Sequence, residues 1–133
     1  MDIFKIDGVS YNVVVKEISE NFNILYSENT GRTMSRGARM TLDPLGTFIG
    51  HKVVVKRMNG HEKEYDDLFD YVSKPRPDGV SVEIVHNQGT IAYDAYISNG
   101  ERALKRIDEK SGKVYWDEIS LNIVPMEAQV LPE

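Results

Sequence analysis

The three histidines are the side chains of this chain best suited to bind a metal or to transfer protons. His61 and Glu62 open a run that resembles the zinc-protease helix motif, in which two histidines four residues apart bind zinc beside a glutamate base. Tyr65 stands where the second histidine is required. His51 and His86 are isolated in the sequence, and a zinc site needs three or four protein ligands. The histidine pattern therefore predicts no metal site.

Three aspartates, Asp66, Asp67 and Asp70, offer the oxygen ligands that calcium prefers. They lack the spacing and the glycine of a calcium-binding loop, and their pattern is typical of a solvated helix face. The sequence also contains no glycine-rich phosphate loop, no nucleophilic serine elbow and no cysteine. We therefore predict no catalytic residue, no cofactor and no metal, and a protein that is not an enzyme.

The apolar pattern predicts mostly strands. Apolar and polar residues alternate over Phe22–Tyr26, Val80–Ile84, Ile91–Ile97 and Ile119–Ile123, which predicts strands with one face on a core. Glycine-containing turns separate these segments. The phase of the last strand changes near its middle, which predicts a bulge around residues 117–118.

One segment has helical periodicity instead. Apolar residues three and four apart predict an amphipathic helix over about residues 61–74, with Asn59 as N-cap, Glu62 completing a capping box and Pro75 ending the helix. The fold class predicted for the single domain, residues 1–133, is mainly β. It is an antiparallel β-sandwich or barrel of two packed sheets, with one flanking α-helix and a long polar loop or hairpin over about residues 27–46.

The charge of the chain is unevenly distributed. The 133 residues carry a net charge of -5, which argues against general nucleic-acid binding. Between residues 29 and 60, six basic residues face a single acid, Asp43, so this section carries +5 and the remainder carries -10. Opposite patches of this kind can attract copies of one protein to each other, although solvated strand faces are an equal alternative.

The segment of residues 27–46 is polar, rich in arginine and unusually long for a connection between strands. Long excursions of this kind usually serve function. Because no catalytic pattern accompanies it, we predict that it contacts other protein chains as an inter-subunit arm. Its predicted contact residues are Arg32, Met34, Arg36, Arg39 and Met40.

Three smaller predictions concern the two ends of the chain. The start lacks the basic and long apolar regions of a signal peptide, and no apolar run is long enough for a membrane anchor. The protein is therefore predicted to be cytosolic when made.

Trp116 is interpreted as packing over the core, with an interface anchor as the alternative. Residues 128–133 are predicted to form a tail that adds to a neighbouring sheet.

The chain resembles a family of small tail-associated structural proteins from bacteriophages and prophages of Gram-positive hosts. The resemblance lies in three short stretches: the opening hairpin at residues 4–9, the polar loop at residues 30–40 and the final strand at residues 116–124. It implies a tail-tube-like module in which two packed sheets carry a flanking helix and a long loop that contacts the adjacent subunit. Arg32, Arg36 and Arg39 would then pair with acids on a neighbour.

The function that this resemblance implies is that of a virion structural protein. Copies would associate into hexameric rings that stack to form a conduit, with DNA only as passing cargo and with other phage tail proteins as partners. The protein would be assembled in the host cytoplasm and would reside in the virion tail. The resemblance leaves open its position there, as a tube subunit, a tube-terminating protein or a baseplate component.

A second function remains open from the sequence. An OB-type barrel also carries one helix between its third and fourth strands, and it binds single-stranded nucleic acid through stacked aromatic residues. The exposed tyrosines predicted for this chain could serve that purpose. The acidic balance disfavours this alternative because phosphate contacts need a surplus of basic groups.

Overall fold

The computed structural model describes residues 3–34 and 36–132, and along them eight strands and one helix follow one another. The connections use the tight turns that the sequence predicts: Asp7 and Asn87 adopt positive φ angles of 50° and 51° at two of them. In chain order the elements are β1 (Phe4–Ile6), β2 (Val13–Tyr26), β3 (Gly31–Arg32), β4 (Met40–Thr41), β5 (Pro44–Arg57), α1 (Glu62–Val72), β6 (Val80–His86), β7 (Gly89–Ile107) and β8 (Val114–Pro125).

Six of the strands form one antiparallel sheet in the order β1-β6-β7-β8-β5-β2, while β3 and β4 form a separate two-stranded ribbon. β2 and β5 make one long pair, from Val13 opposite Arg57 to Tyr26 opposite Pro44. β7 and β8 make the second long pair, and β8 joins the two by also pairing with β5.

The sheet curls around a single apolar core. Glu20 on β2 hydrogen-bonds His86 on β6, so strands from opposite ends of the strand order approach each other. Helix α1 adds Tyr65, Leu68 and Val72 to this core. The buried strand residues of the same cluster are Phe4, Ile6, Val13, Val53, Val55, Val80, Val82, Ile84, Ala95, Ile119, Leu121 and Ile123.

The predicted fold class is confirmed: the chain is mainly β and antiparallel, with one helix. Within the described residues no pairing closes the six-stranded sheet into a barrel, and the second sheet is only the small ribbon of β3 and β4. The predicted long loop or hairpin is a hairpin, and the ribbon β3–β4 lies at its tip. Within the described part of the chain, no helix has the length and apolar character needed to cross a membrane.

The helix begins later than predicted. Asn59 is not its N-cap, because a tight turn uses residues 58–61: His61 donates its N–H to the carbonyl oxygen of Met58, and Gly60 has a φ of +84°. His61 precedes the first helical residue and makes no side-chain capping bond. At the other end Ser73 caps the helix just before Pro75.

The bulge predicted in the last strand is confirmed. Arg102 lies opposite Ile119 and Leu104 opposite Trp116, so β8 contains one residue more than β7 between these pairs. The extra residue changes which face β8 presents to the core. Trp116 packs against the core from the outside, with the guanidinium of Arg102 4.2 Å from the centre of its ring.

Candidate interaction site: the arm and its root

The outer half of the β2–β5 pair projects beyond the core and carries the ribbon at its tip. We name residues 21–48 the arm. Every residue from Glu20 to Tyr26 is exposed, although the same strand is buried at Val13. At the neck of the arm, Ser27 donates its N–H to the carbonyl oxygen of Asp43 at 2.9 Å. Asp43 in turn donates its N–H to the Thr30 hydroxyl at 2.9 Å. These hydrogen bonds hold the two sides of the hairpin together.

The apolar stripe Phe22, Ile24 and Tyr26 does not face a core, and that prediction is wrong. Phe22 is 72% exposed, and Ile24 and Tyr26 are also exposed. The alternation correctly predicted a strand, but within one subunit no described element covers this face. The exposed large apolar residues of the arm are Phe22, Ile24, Leu25, Tyr26, Met34, Met40, Leu42 and Leu45. Such a contiguous set is typical of a protein-interaction surface.

The structure brings the five predicted contact residues together at the tip of the arm. Arg32 on β3 lies opposite Met40 on β4, and Thr33 donates its N–H to the carbonyl oxygen of Arg39. Arg32 also donates from its guanidinium to the carbonyl oxygen of Ala38 at 3.3 Å. The side chains of all five are exposed, and they are Arg32, Met34, Arg36, Arg39 and Met40. Ser35, inside the predicted segment, lies outside the described residues.

The arginines of the arm differ from the basic residues of the body in their partners. Among the residues that the structure describes, none of the three arm arginines forms an ion pair with an acid. On the body, Lys16 pairs with Glu118 at 2.5 Å, and Arg102 pairs with Asp66 at 3.1 Å. The positive charge at the tip is therefore available to an acidic group outside the subunit.

A hydrogen-bonded network lies at the root of the arm, where β2 and β5 join the body. The sequence analysis did not predict this network. His51 on β5 is only 1% exposed, and its Nε2 lies 2.9 Å from a carboxylate oxygen of Glu20 on β2. His51 Nδ1 lies 2.6 Å from the hydroxyl of Tyr93 on β7. His86 on β6 binds the same oxygen of Glu20 at 2.7 Å through its Nδ1. The four residues lie on four different strands, so their spacing along the chain carries no signal.

The electrostatics of this network favour a neutral His51 beside an ionised Glu20. Burial lowers the pKa of His51 below its ordinary value. Hydrogen bonds from His86 and then from His51 lower the pKa of Glu20, although burial opposes them. Burial also raises the pKa of Tyr93, which therefore stays protonated. With this set of charges, His51 donates through Nε2 to Glu20 and accepts at Nδ1 from Tyr93.

The network ties the arm to the body and gives no sign of a metal centre. Both histidines reach a single oxygen of Glu20, and the described residues contain no group of three side chains placed to hold a metal ion. The aspartates of α1 are exposed, and Asp66 and Asp67 pair with Arg102 and Lys63. The arrangement of His51, Glu20 and His86 suits the fixing of one orientation of the arm.

A groove of about 590 Å³ lies between the root of the arm and strands β7 and β8. Asn21 and Asn23 of β2 line one side, and Tyr96 and Asn122 line the other. The amide side chains can both donate and accept hydrogen bonds, and the tyrosine ring offers an apolar surface. The groove can therefore accept a polar segment of another chain beside the arm.

The segment after β8 folds back onto the root of the arm, so the prediction that it adds to a neighbouring sheet is wrong for the described residues. Thr47 donates its N–H to the carbonyl oxygen of Val130 at 2.8 Å. The side-chain amide of Gln129 accepts from the N–H of Ile49 at 2.9 Å and donates to its carbonyl oxygen at 2.8 Å. The tail occupies this place because β8 pairs with β5 only from His51 onward. Glu133 lies outside the described residues.

Comparison of the chain with protein-family models and with curated proteins gives no match. The resemblance to phage tail proteins therefore stays a prediction. Geometry, exposure and charge are the observations that can support a function.

Proposed function

We propose that this protein is a self-assembling structural protein of a bacteriophage virion, a tail-tube-like subunit whose arm contacts the neighbouring copy. The observation that carries the proposal is the stripe of Phe22, Ile24 and Tyr26. Its alternation is that of a strand facing a core, yet it is exposed in the single subunit. A second copy can cover it and bury the apolar surface that one subunit leaves in water.

The shape of the subunit supports closed assemblies of identical copies. One arm projects from one side of the body, so its contact surface differs from the surface that receives it. Such head-to-tail contacts generate a ring if the rotation between subunits closes, and we propose a hexameric ring that stacks into a DNA conduit. The arm arginines then belong to subunit contacts, and the conduit wall comes from the acidic body. Other tail proteins are the proposed neighbours in the virion.

The direct test removes the tip of the arm, residues 28–42, and keeps the body together with the stripe of Phe22, Ile24 and Tyr26. A backbone hydrogen bond already joins Ser27 to Asp43 just beyond the β2–β5 pairing, so residues 28–42 can be replaced by Asn-Gly, a two-residue turn that connects antiparallel strands. We expect size-exclusion chromatography with light scattering to show assemblies of the full chain, whose monomer has a mass of 15.1 kDa, and mainly the lighter monomer of the shortened chain. Circular dichroism should show that both remain β-rich. Assembly of the shortened chain at the wild-type level would contradict the proposal.

A point substitution tests the apolar stripe alone. Phe22→Ser should weaken association by about tenfold or more, because it removes a large apolar contact from the proposed interface. The matched control is Ile107→Ser, which changes an exposed apolar residue at the far end of β7. An equal effect of the two substitutions would show that the arm has no special part in association. Negative-stain microscopy of the wild type should show rings or tubes.

The same preparations distinguish the alternative function in single-stranded nucleic-acid binding. A labelled oligonucleotide that gives a salt-sensitive rise in fluorescence polarisation with the full chain would favour that alternative. We expect no binding at low salt, because the net charge of the chain is -5.

A further inference from the structure

Strand β7 has an open edge near its start. β7 pairs with β6 along Gly89–Ala95 on one side, but β8 reaches it on the other side only from Ala95, opposite Pro125. The stretch Gly89–Asp94 therefore has no neighbouring strand on that side within the described residues, and we name it the β7 edge. It holds six residues, or about 20 Å of extended chain.

Backbone groups of this edge point away from β6. Asp94 accepts a hydrogen bond at its carbonyl oxygen from the N–H of Met126, which fixes the side to which its backbone points. Because alternate residues of a strand point the same way, the N–H and C=O of Ala92 face the same open side. The edge contains neither lysine nor proline, the residues that commonly block strand addition.

A groove of about 480 Å³ runs along this edge, with the tail after β8 as its other wall. Two acids line it, Asp94 from β7 and Glu127 from the tail. Both are exposed, and neither forms an ion pair with a basic residue among those described. The groove therefore offers an unpaired strand edge beside uncompensated negative charge.

We propose that the β7 edge receives the arm tip of a second copy of this chain, with strand β4 added to the edge and the arm arginines facing Asp94 and Glu127. The proposal rests on the proposed self-assembly and names the surface that the arm contacts. Charge selects the occupant: among the described residues of one subunit, the three arginines at the tip have no acid partner and the two acids of the groove have no basic one.

The shape of the tip fits the same occupant. The ribbon contains only two strands, so β4 pairs with β3 on one side and is free to pair on its other side. Strand addition of this kind supplies backbone hydrogen bonds, while side chains beside the strand supply specificity. Arg39 immediately precedes β4 and Arg36 lies four residues before it; both are exposed, so they can reach acids beside the edge.

The absence of cysteine from the chain allows a disulfide test. Separate variants Arg39→Cys and Ala92→Cys are mixed at equal concentration under mild oxidation, and a non-reducing gel is run. We expect a disulfide-linked heterodimer between the two variants to be the main linked product. The matched control replaces Ala92→Cys by Asp70→Cys, an exposed position on α1. Cross-linking of Arg39→Cys that is no stronger with Ala92→Cys than with Asp70→Cys would overturn the proposal.

Charge reversal gives an independent measurement. Asp94→Arg with Glu127→Arg should raise the apparent dissociation constant of self-assembly about tenfold or more, and so should Arg36→Glu with Arg39→Glu. Mixing the two double variants should restore association, because each supplies the complement of the other. If the Asp94 and Glu127 variant assembles as the wild type does while the arm-shortened chain stays monomeric, self-assembly stands and the β7 edge is not its receptor. A wild type that never associates would end both proposals.

Discussion

His51 combines nearly complete burial with full use of its hydrogen-bonding atoms. Glu20 and Tyr93 satisfy its two ring nitrogens, and no buried side-chain nitrogen or oxygen among the described residues lacks a partner. A neutral imidazole fits this pair of bonds, whereas a charged one would need Tyr93 to turn its hydroxyl away from its donor role. The residue therefore stabilises the fold in one protonation state only.

A dependence of stability on pH follows from that preference. Because the pKa of His51 is lower in the folded chain than the ordinary value of 6.5, the unfolded chain binds more protons between these two values. The free energy of unfolding should therefore be highest above about pH 6.5 and should fall as the pH is lowered through the folded pKa. Glu20, whose pKa is also lowered, should extend the loss below its ordinary value of 4.5. Urea unfolding at a series of pH values measures the slope.

The His51→Gln variant supplies the comparison for this slope. Glutamine does not titrate, so the fall in stability near pH 6 should be smaller in the variant than in the wild type. His86 and Tyr93 also face this site and remain in both proteins. An unchanged slope in the variant would assign the pH dependence to other groups. Nuclear magnetic resonance of the His51 ring reports its titration directly.

At this scale the sequence predicted the tip of the arm better than its root. A run of arginines and glycines too long for an ordinary connection is a local signal, and Arg32, Arg36 and Arg39 all lie exposed at the tip. The network of His51 and Glu20 depends on strand order and register, which bring together residues far apart in the sequence. Alternation also identified the stripe that begins at Phe22 but could not show whether one subunit or two covers it.

Two glycines in the turns that precede β6 and β8 differ in how closely another strand approaches them. Gly79 and Gly112 have nearly equal φ angles, +70° and +73°. A Cβ at Gly79 would overlap the carbonyl oxygen of Ala95, whereas a Cβ at Gly112 would meet no atom within 4 Å. Both positions favour glycine for their backbone conformation, but only Gly79 is also restricted by a neighbouring strand.

Alanine at each position separates these two effects. Gly112→Ala should lower the free energy of unfolding by about 1 kcal/mol, the cost of a left-handed alanine. Gly79→Ala should cost at least about 1 kcal/mol more, because β7 must also shift. Urea unfolding of the two variants gives the difference. Equal losses would show that the turn before β6 relaxes without disturbing β7.

The side chain of Gln129 makes hydrogen bonds to the backbone of β5 of the kind that a neighbouring strand would make. Its side chain satisfies both backbone groups of Ile49, so Gln129→Ala should leave a partly buried N–H and C=O without their partners. We expect a loss of about 1 to 3 kcal/mol in the free energy of unfolding. Amide hydrogen exchange at Ile49 should also become faster. The control Gln88→Ala, in the exposed turn between β6 and β7, should change neither quantity; a similar loss there would remove the special role of Gln129.

Most elements could be predicted because their signals are local. Alternation found the strands, spacing of three and four found α1, and the phase change at Trp116 found the bulge in β8. The start of the helix was misplaced because Asn59 has the chemistry of both an N-cap and a turn. The tail was misplaced because its position depends on where β8 ends its pairing with β5, which no local pattern reports.

For the whole molecule, the separation of unpaired charges predicts a salt-dependent assembly. Among the described residues of one subunit, the arm arginines form no ion pair with an acid, and Asp94 and Glu127 form none with a basic residue. Raising the salt concentration from about 0.05 M to about 0.5 M shortens the screening length about threefold and should weaken association. Sedimentation at several salt concentrations gives the slope, which should be flatter for the variant with Arg36→Glu and Arg39→Glu. Association that strengthens with salt would assign the interface to apolar contacts alone.

The position of β8 has a consequence for synthesis on the ribosome. β8 emerges after every other strand of the six-stranded sheet, yet it lies in the middle of the strand order, between β7 and β5. A nascent chain can fold the β2–β5 hairpin early, but before β8 inserts that hairpin has no strand pairing with the β6–β7 half and contacts it only through side chains such as those of Glu20 and His86. For the self-assembly proposed above, β8 is therefore the strand that fixes the orientation of the exposed hairpin, and a chain that ends before β8 would lack that orientation.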